Sequence, residues 1–176
     1  MDMKTDTAHL ILIMGLPGSG KTFFSKALAE KMGVLHFNSD RARKEQRAHP
    51  SYSEEDKSKV YGLMFRKVTE ALKKGKTVIA DATFSKMAYR QPYLDWAEDH
   101  GVPVHILHLH ASEAVIHERV SLPRVDSDAD FEVYEQIKAE YQPITEPHLS
   151  LRTDKDTLDQ RLDKAIDYLS ETKVRS

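Results

Sequence analysis

No cysteine occurs in the 176 residues of the chain. That excludes a disulfide framework, thiol chemistry and a cysteine-ligated zinc site. No run of apolar residues approaches the length that a bilayer-spanning helix needs. The first seven residues, Met1 to Thr7, carry three charges and no apolar segment, so they do not read as a secretory signal. The expectation is a cytoplasmic protein with no membrane partner. A basic surplus is missing as well: 26 Lys and Arg stand against 28 Asp and Glu. A general nucleic-acid coat protein would show that surplus, although a local basic site stays open.

What is present is an ordinary globular composition, with 40% hydrophobic and 31% charged residues. The length suits one domain with a real core and is short for two. Apolar runs at His9 to Met14, Val34 to Asn38, Thr77 to Asp81, Val104 to Leu109 and Leu149 to Thr153 read as strands. Between them lie stretches with helical periodicity. Ser53, followed by Glu54, Glu55 and Asp56, caps a long helix that ends at Lys73-Lys74-Gly75. Thr83 to Asp99, Ser112 onward, Phe131 to Tyr141 and Asp154 to Tyr168 supply further helices. The alternation predicts one α/β domain over 9–176 after a tail of 1–8. It has a parallel sheet of about five strands, helices on both faces and a helical lid near 117–141. In such sheets ligands sit beyond the carboxyl ends of the strands.

The chemistry concentrates there. Gly15-Leu16-Pro17-Gly18-Ser19-Gly20-Lys21-Thr22 fits G-x-x-x-x-G-K-[ST], with an apolar strand before it and a helix after it. Backbone N–H groups of such a loop point at a phosphate chain, and the helix dipole favours its charge. Gly15, Gly18 and Gly20 allow close approach, Pro17 stiffens the loop, and Ser19 completes it. Lys21 is expected to bridge the β- and γ-phosphates of ATP, and the Thr22 hydroxyl to bind Mg²⁺. Asp40, after the second strand, suits a general base for an attacking hydroxyl, or the cap of the helix that follows. Arg43, one turn on, suits an anionic group of the acceptor, whereas Lys44 and Arg47 suit a solvated face. Asp81, at the end of an apolar strand, suits either Mg²⁺ or the acceptor.

Together these stretches resemble the P-loop kinases of the polynucleotide-kinase-like group, related to 5′-hydroxyl polynucleotide kinases, chloramphenicol phosphotransferase and zeta toxins. Asn38 to Lys44 looks like that group's D-x-x-R element, and Val78 to Phe84 like its strand-three stretch with Arg90 beyond. Glu118-Arg119 to Arg124, followed by Ser127-Asp128-Ala129, resembles its arginine-bearing lid. The resemblance implies an ATP-dependent kinase with Asp40 as base and Asp81, Thr83 and Arg90 near the acceptor. Arg119 or Arg124 would close over the transition state. The acceptor would be a small-molecule hydroxyl or a nucleic-acid 5′ end. The alternatives are a nucleotide-binding regulatory or toxin-like module with incidental ATPase activity, and a nucleoside-monophosphate kinase. No N-K-x-D motif supports a guanine-specific switch.

Two patterns read as decoys. Asp126 to Asp130 begins like a calcium loop, but Phe131 replaces the required glycine. His108 and His110 share one face of their strand while His105 takes the other, with no carboxylate or cysteine at ligand spacing.

Overall fold

The computed structural model describes residues 7–46, 53–121 and 131–174. Five strands form one sheet: β1 (Leu10–Met14), β2 (Leu35–Asn38), β3 (Val78–Asp81), β4 (Val104–His110) and β5 (Leu149–Arg152). Their order is β2-β3-β1-β4-β5, and every pairing is parallel. The helices between them are α1 (Lys21–Met32), α2 (Ser39–Gln46), α3 (Glu54–Lys73), α4 (Met87–Asp99), α5 (Glu113–Val120), α6 (Phe131–Glu140) and α7 (Leu158–Val174).

β1 is central, and all five of its residues are buried. A strand covered on both faces must be apolar on both, which is why His9 to Met14 reads as a continuous run. Leu10, Leu12 and Met14 pack with α3 and α4 through Val60, Met64, Val68 and Tyr93. Ile11 and Ile13 pack on the other face with Phe24 and Leu28 of α1 and Leu162 and Leu169 of α7. α5 and α6 form a smaller cluster in which Ile116, Val120 and Tyr134 meet Leu16 of the glycine loop. The expected α/β architecture is the observed one. Among the described residues no helix is long and apolar enough to cross a membrane.

Helix boundaries differ in three places, each for a local reason. Ser53 caps α3 as expected, its hydroxyl accepting from Asp56 N at 3.2 Å. α2, however, begins at Ser39, before Asp40. Its cap is Asn38, whose Oδ1 accepts from Arg41 N at 3.1 Å, so the capping reading of Asp40 is replaced. Residues 83–86 are not helical, and α4 starts at Met87. Phe84 holds a left-handed φ of 49° there, with its side chain fully buried. A non-glycine residue in that region is costly and persists only when its surroundings fix it. Two contacts do so: Phe84 N donates to Tyr61 Oη at 2.9 Å, and Phe84 O accepts from Arg90 Nε at 2.7 Å. The last helix starts at Leu158, because 153–157 forms a turn after β5.

Candidate active site

The loop after β1 folds tightly. Ser19 N donates to Leu16 O at 3.1 Å, and Gly20, at φ 87°, caps α1. Gly15 is required by space: a Cβ there would stand 2.4 Å from Leu109 O and 2.6 Å from Ser19 Oγ. Gly18 is required by conformation, at φ 81°, and a Cβ would also meet Val120 Cγ1 at 2.8 Å. The loop therefore lies against β4 behind it and α5 beside it. The N–H groups of α1's first turn, which no preceding helical turn can satisfy, face outward at its mouth.

One cleft beside this loop is lined by Pro17 and Lys21 from the loop side and by Asp40 and Arg43 from α2. Lys57 and Tyr61 of α3, Thr83 and Ser85 after β3, and Ile137 of α6 also line it. Five expected residues, Pro17, Lys21, Asp40, Arg43 and Thr83, thus share one cleft. Asp40 Oδ1 accepts from Arg43 Nη1 at 2.6 Å, one helical turn away, and the side chains are 15% and 9% exposed. The pair is held in place and still reaches the cleft.

Beneath the cleft lies a polar chain. Asp81 is fully buried. Its Oδ2 lies 3.0 Å from His36 Nε2 and accepts from Asn38 Nδ2 at 2.9 Å. Asn38 Nδ2 also reaches Thr22 Oγ1 at 3.1 Å. Burial by itself would raise the Asp81 pKa. The His36 hydrogen bond, the Lys21 charge, the His36 charge and the Asn38 bond together outweigh it and hold the pKa below the ordinary carboxylate value. Asp81 Oδ1 is buried and has no hydrogen-bond partner among the described residues.

That orphaned oxygen and the Thr22 hydroxyl are hard oxygen donors on one polar chain, so they fit Mg²⁺. No group of three or more His, Cys, Asp or Glu residues able to hold a metal occurs among the described residues. An ion sharing its ligands with a phosphate chain does not need one.

Arg119 lies on the other flank of the loop. Its Nη1 donates to Gly18 O at 3.1 Å and to Thr153 Oγ1 at 2.8 Å. Thr153 Oγ1 in turn donates to Ser19 O at 2.7 Å. Arg124 falls outside the described residues, as do Ser127, Asp128 and Ala129 of the lid pattern. Arg90, expected near the acceptor, does not line the cleft. Its guanidinium is fully buried and donates to the carbonyls of Phe84, Gln142 and Pro143. A helix that starts only at Met87 turns Arg90 inward, where it ties the 142–143 segment to the turn after β3. The structure thus gives Arg90 a place between the 142–143 segment and the turn after β3, outside the cleft lining.

The histidines divide as strand alternation predicts. His105 stacks on His9 with ring centroids 5.1 Å apart, whereas His108 and His110 stack on each other at 5.4 Å. Burial, then the neighbouring His110, His148 and Arg90, hold the His108 pKa down to about 4. Sequence reading missed Asn38, His36, Tyr61 and Thr153. Asn38 was accessible to the strand-end rule that singled out Asp40 and Asp81. The other three act through long-range contacts.

A family model described as an AAA domain (AAA_33) matches residues 10–144, and the chain belongs to this P-loop family. The bifunctional polynucleotide phosphatase/kinase of Schizosaccharomyces pombe is 26% identical over 110 residues, 62% of this chain. The chain matches only 23% of that relative's length. A gluconokinase from Sinorhizobium meliloti 1021 superposes with TM-score 0.72 and 18% identity, covering 93% of each chain. The Mycobacterium tuberculosis APS kinase CysC, solved with AMPPNP and APS, superposes with TM-score 0.69 and 18% identity. It covers 93% of this chain and 98% of its own. At such identities these two structures share the fold, which is that of P-loop kinases.

Proposed function

We propose that the protein is an ATP-dependent kinase that transfers the γ-phosphoryl group of Mg·ATP to an acceptor hydroxyl. One observation carries this reading: Lys21 of the phosphate loop and the carboxylate of Asp40 line the same cleft. Phosphoryl transfer needs little covalent chemistry from the protein. It needs the phosphates held, the developing charge stabilised and the nucleophile aimed in line.

The loop amides and Lys21 hold the phosphates. Asp40 accepts the proton of the attacking hydroxyl, with Arg43 fixing its orientation at 2.6 Å. Thr22 and Asp81 would hold Mg²⁺, which would supply positive charge to offset that of the phosphate chain. Arg119, docked on Gly18 and Thr153, clamps the loop's outer flank. Closure of a lid over the loop keeps water out and limits wasteful hydrolysis.

Arg43 and Lys57 put cationic groups on the acceptor side of the cleft, where they pair with Asp40 and with Glu54 and Glu140. An acceptor with an anionic group besides its hydroxyl would compete for them. The similarity to the fission-yeast relative, named as a polynucleotide phosphatase/kinase, supports a 5′-hydroxyl nucleotide or oligonucleotide as one such acceptor. A sugar acid is the other. A regulatory or toxin-like binding module would have no use for a cleft carboxylate facing the phosphate loop.

The test is ATP consumption by wild type, Lys21→Ala and Asp40→Asn against 3′-phosphorylated nucleosides, 5′-hydroxyl oligonucleotides, unmodified nucleosides and sugar acids. The proposal expects stimulation by one class that both substitutions remove, with ATP still bound by Asp40→Asn. Transfer by Asp40→Asn at the wild-type rate would remove the base assignment.

A further inference from the structure

Phe23 follows Thr22 directly in α1, and it is 63% exposed. Among the described residues the only other exposed large hydrophobic is Leu35, at the start of β2, the opposite end of the sheet from the loops. A single exposed apolar residue is unremarkable in general. The position of this one is specific.

Successive residues of an α-helix are rotated by about 100°, which places Phe23 roughly 60° from Gly20 and about 100° from Thr22. Thr22 faces Asn38, on the β2 side. Gly20 faces the connection from β5 to α7: a Cβ on it would stand 3.3 Å from Thr153 Cγ2. Lys31, lower on the same flank, pairs with Asp163 of α7 at 3.6 Å. Phe23 therefore lies on the outer side of α1, turned toward β5 and α7 and away from the acceptor cleft. Helical side chains lean toward the helix N-terminus, so its ring covers the turn that opens onto the phosphate loop.

A nucleotide whose triphosphate runs through the loop, with its γ end at Lys21 and Asp40, must leave with its base on the flank away from the cleft. That is the flank of Phe23 and Thr153. We infer that Phe23 is a stacking platform for the purine base of the donor nucleotide, with the 153–156 turn as the neighbouring wall. The assignment rests on the proposed nucleotide-binding role of the loop and adds the base subsite to it. An exposed ring gains by covering its face with a flat aromatic partner, and every purine offers one.

The test compares ATP with inorganic tripolyphosphate, which has the charge of the phosphate chain but no base. Binding of each is measured by calorimetry on the full chain for wild type, Phe23→Ala and Phe23→Trp. Phe23→Ala is expected to bind ATP about ten-fold more weakly and tripolyphosphate as wild type does. Phe23→Trp is expected to keep ATP affinity, and its indole fluorescence to be quenched by ATP but not by tripolyphosphate. Unchanged ATP binding in Phe23→Ala overturns the inference. So does an equal loss of both ligands, which would mean that the ring only supports the loop. A wild type that binds neither ligand would remove the nucleotide reading itself, a result separable from failure of the platform alone.

Discussion

His36 Nε2 and Asp81 Oδ2 lie 3.0 Å apart, the carboxylate fully buried and the imidazole nearly so. This contact joins β2 to β3 under the cleft and holds the Asp81 pKa below its ordinary value of 3.8. A carboxylate whose pKa is depressed by folding contributes stability that is complete above the unfolded value. It is lost as pH falls through the lower folded value. Denaturant unfolding should therefore show a stability loss that begins below about pH 4. Asp81→Asn should cost about 2 kcal/mol at pH 7, and its difference from wild type should shrink in acid. A constant difference across that range would show that the contact is not charge-assisted.

Lys21→Ala should remove ATP turnover while lowering the thermal midpoint of the nucleotide-free protein only modestly, because Lys21 is partly exposed and its charge is one of several groups that keep the buried Asp81 ionised. Circular dichroism melts beside an ADP-release assay separate loss of chemistry from loss of fold.

Arg90→Met should be among the most damaging single changes. It leaves the carbonyls of Phe84, Gln142 and Pro143 without their shared donor. A loss of about 3 kcal/mol is expected in urea unfolding. Arg90→Lys should recover little, since a single ammonium cannot reproduce the planar fork. A mild effect in both would mean that water replaces the guanidinium.

Thr153→Val keeps the side-chain shape and removes the hydroxyl between Arg119 and Ser19 O. The expected result is about ten-fold weaker ATP binding with about 1 kcal/mol of lost stability. Calorimetry and urea unfolding on the same preparation read both.

The glycine loop was legible because its chemistry is local. Gly15, Gly18, Gly20, Lys21 and Thr22 sit within eight consecutive positions, and the strand before and the helix after are set by nearby periodicity. Asp40 and Asp81 were legible for a related reason: one follows an apolar strand by two residues and the other ends one, and the parallel sheet gathers strand ends at one edge. Arg90 and Thr153 were not legible. The direction of Arg90 depends on where α4 begins, and that depends on the Phe84 turn held by Tyr61 from another helix. Thr153 reaches Ser19 across 134 positions of sequence.

By itself, then, the sequence determined the class of the protein: a parallel α/β sheet with a phosphate loop at its edge and acids at its strand ends. Spacing and residue type are enough for that. Only the tertiary structure decided that Asn38 caps α2 and links Thr22 to Asp81, and that Arg90 serves the core. It also decided that Asp40 and Arg43 meet Lys21 across one cleft while Arg119 docks on the opposite flank. Those relationships depend on strand order and helix boundaries, which arise from contacts between residues far apart in the chain.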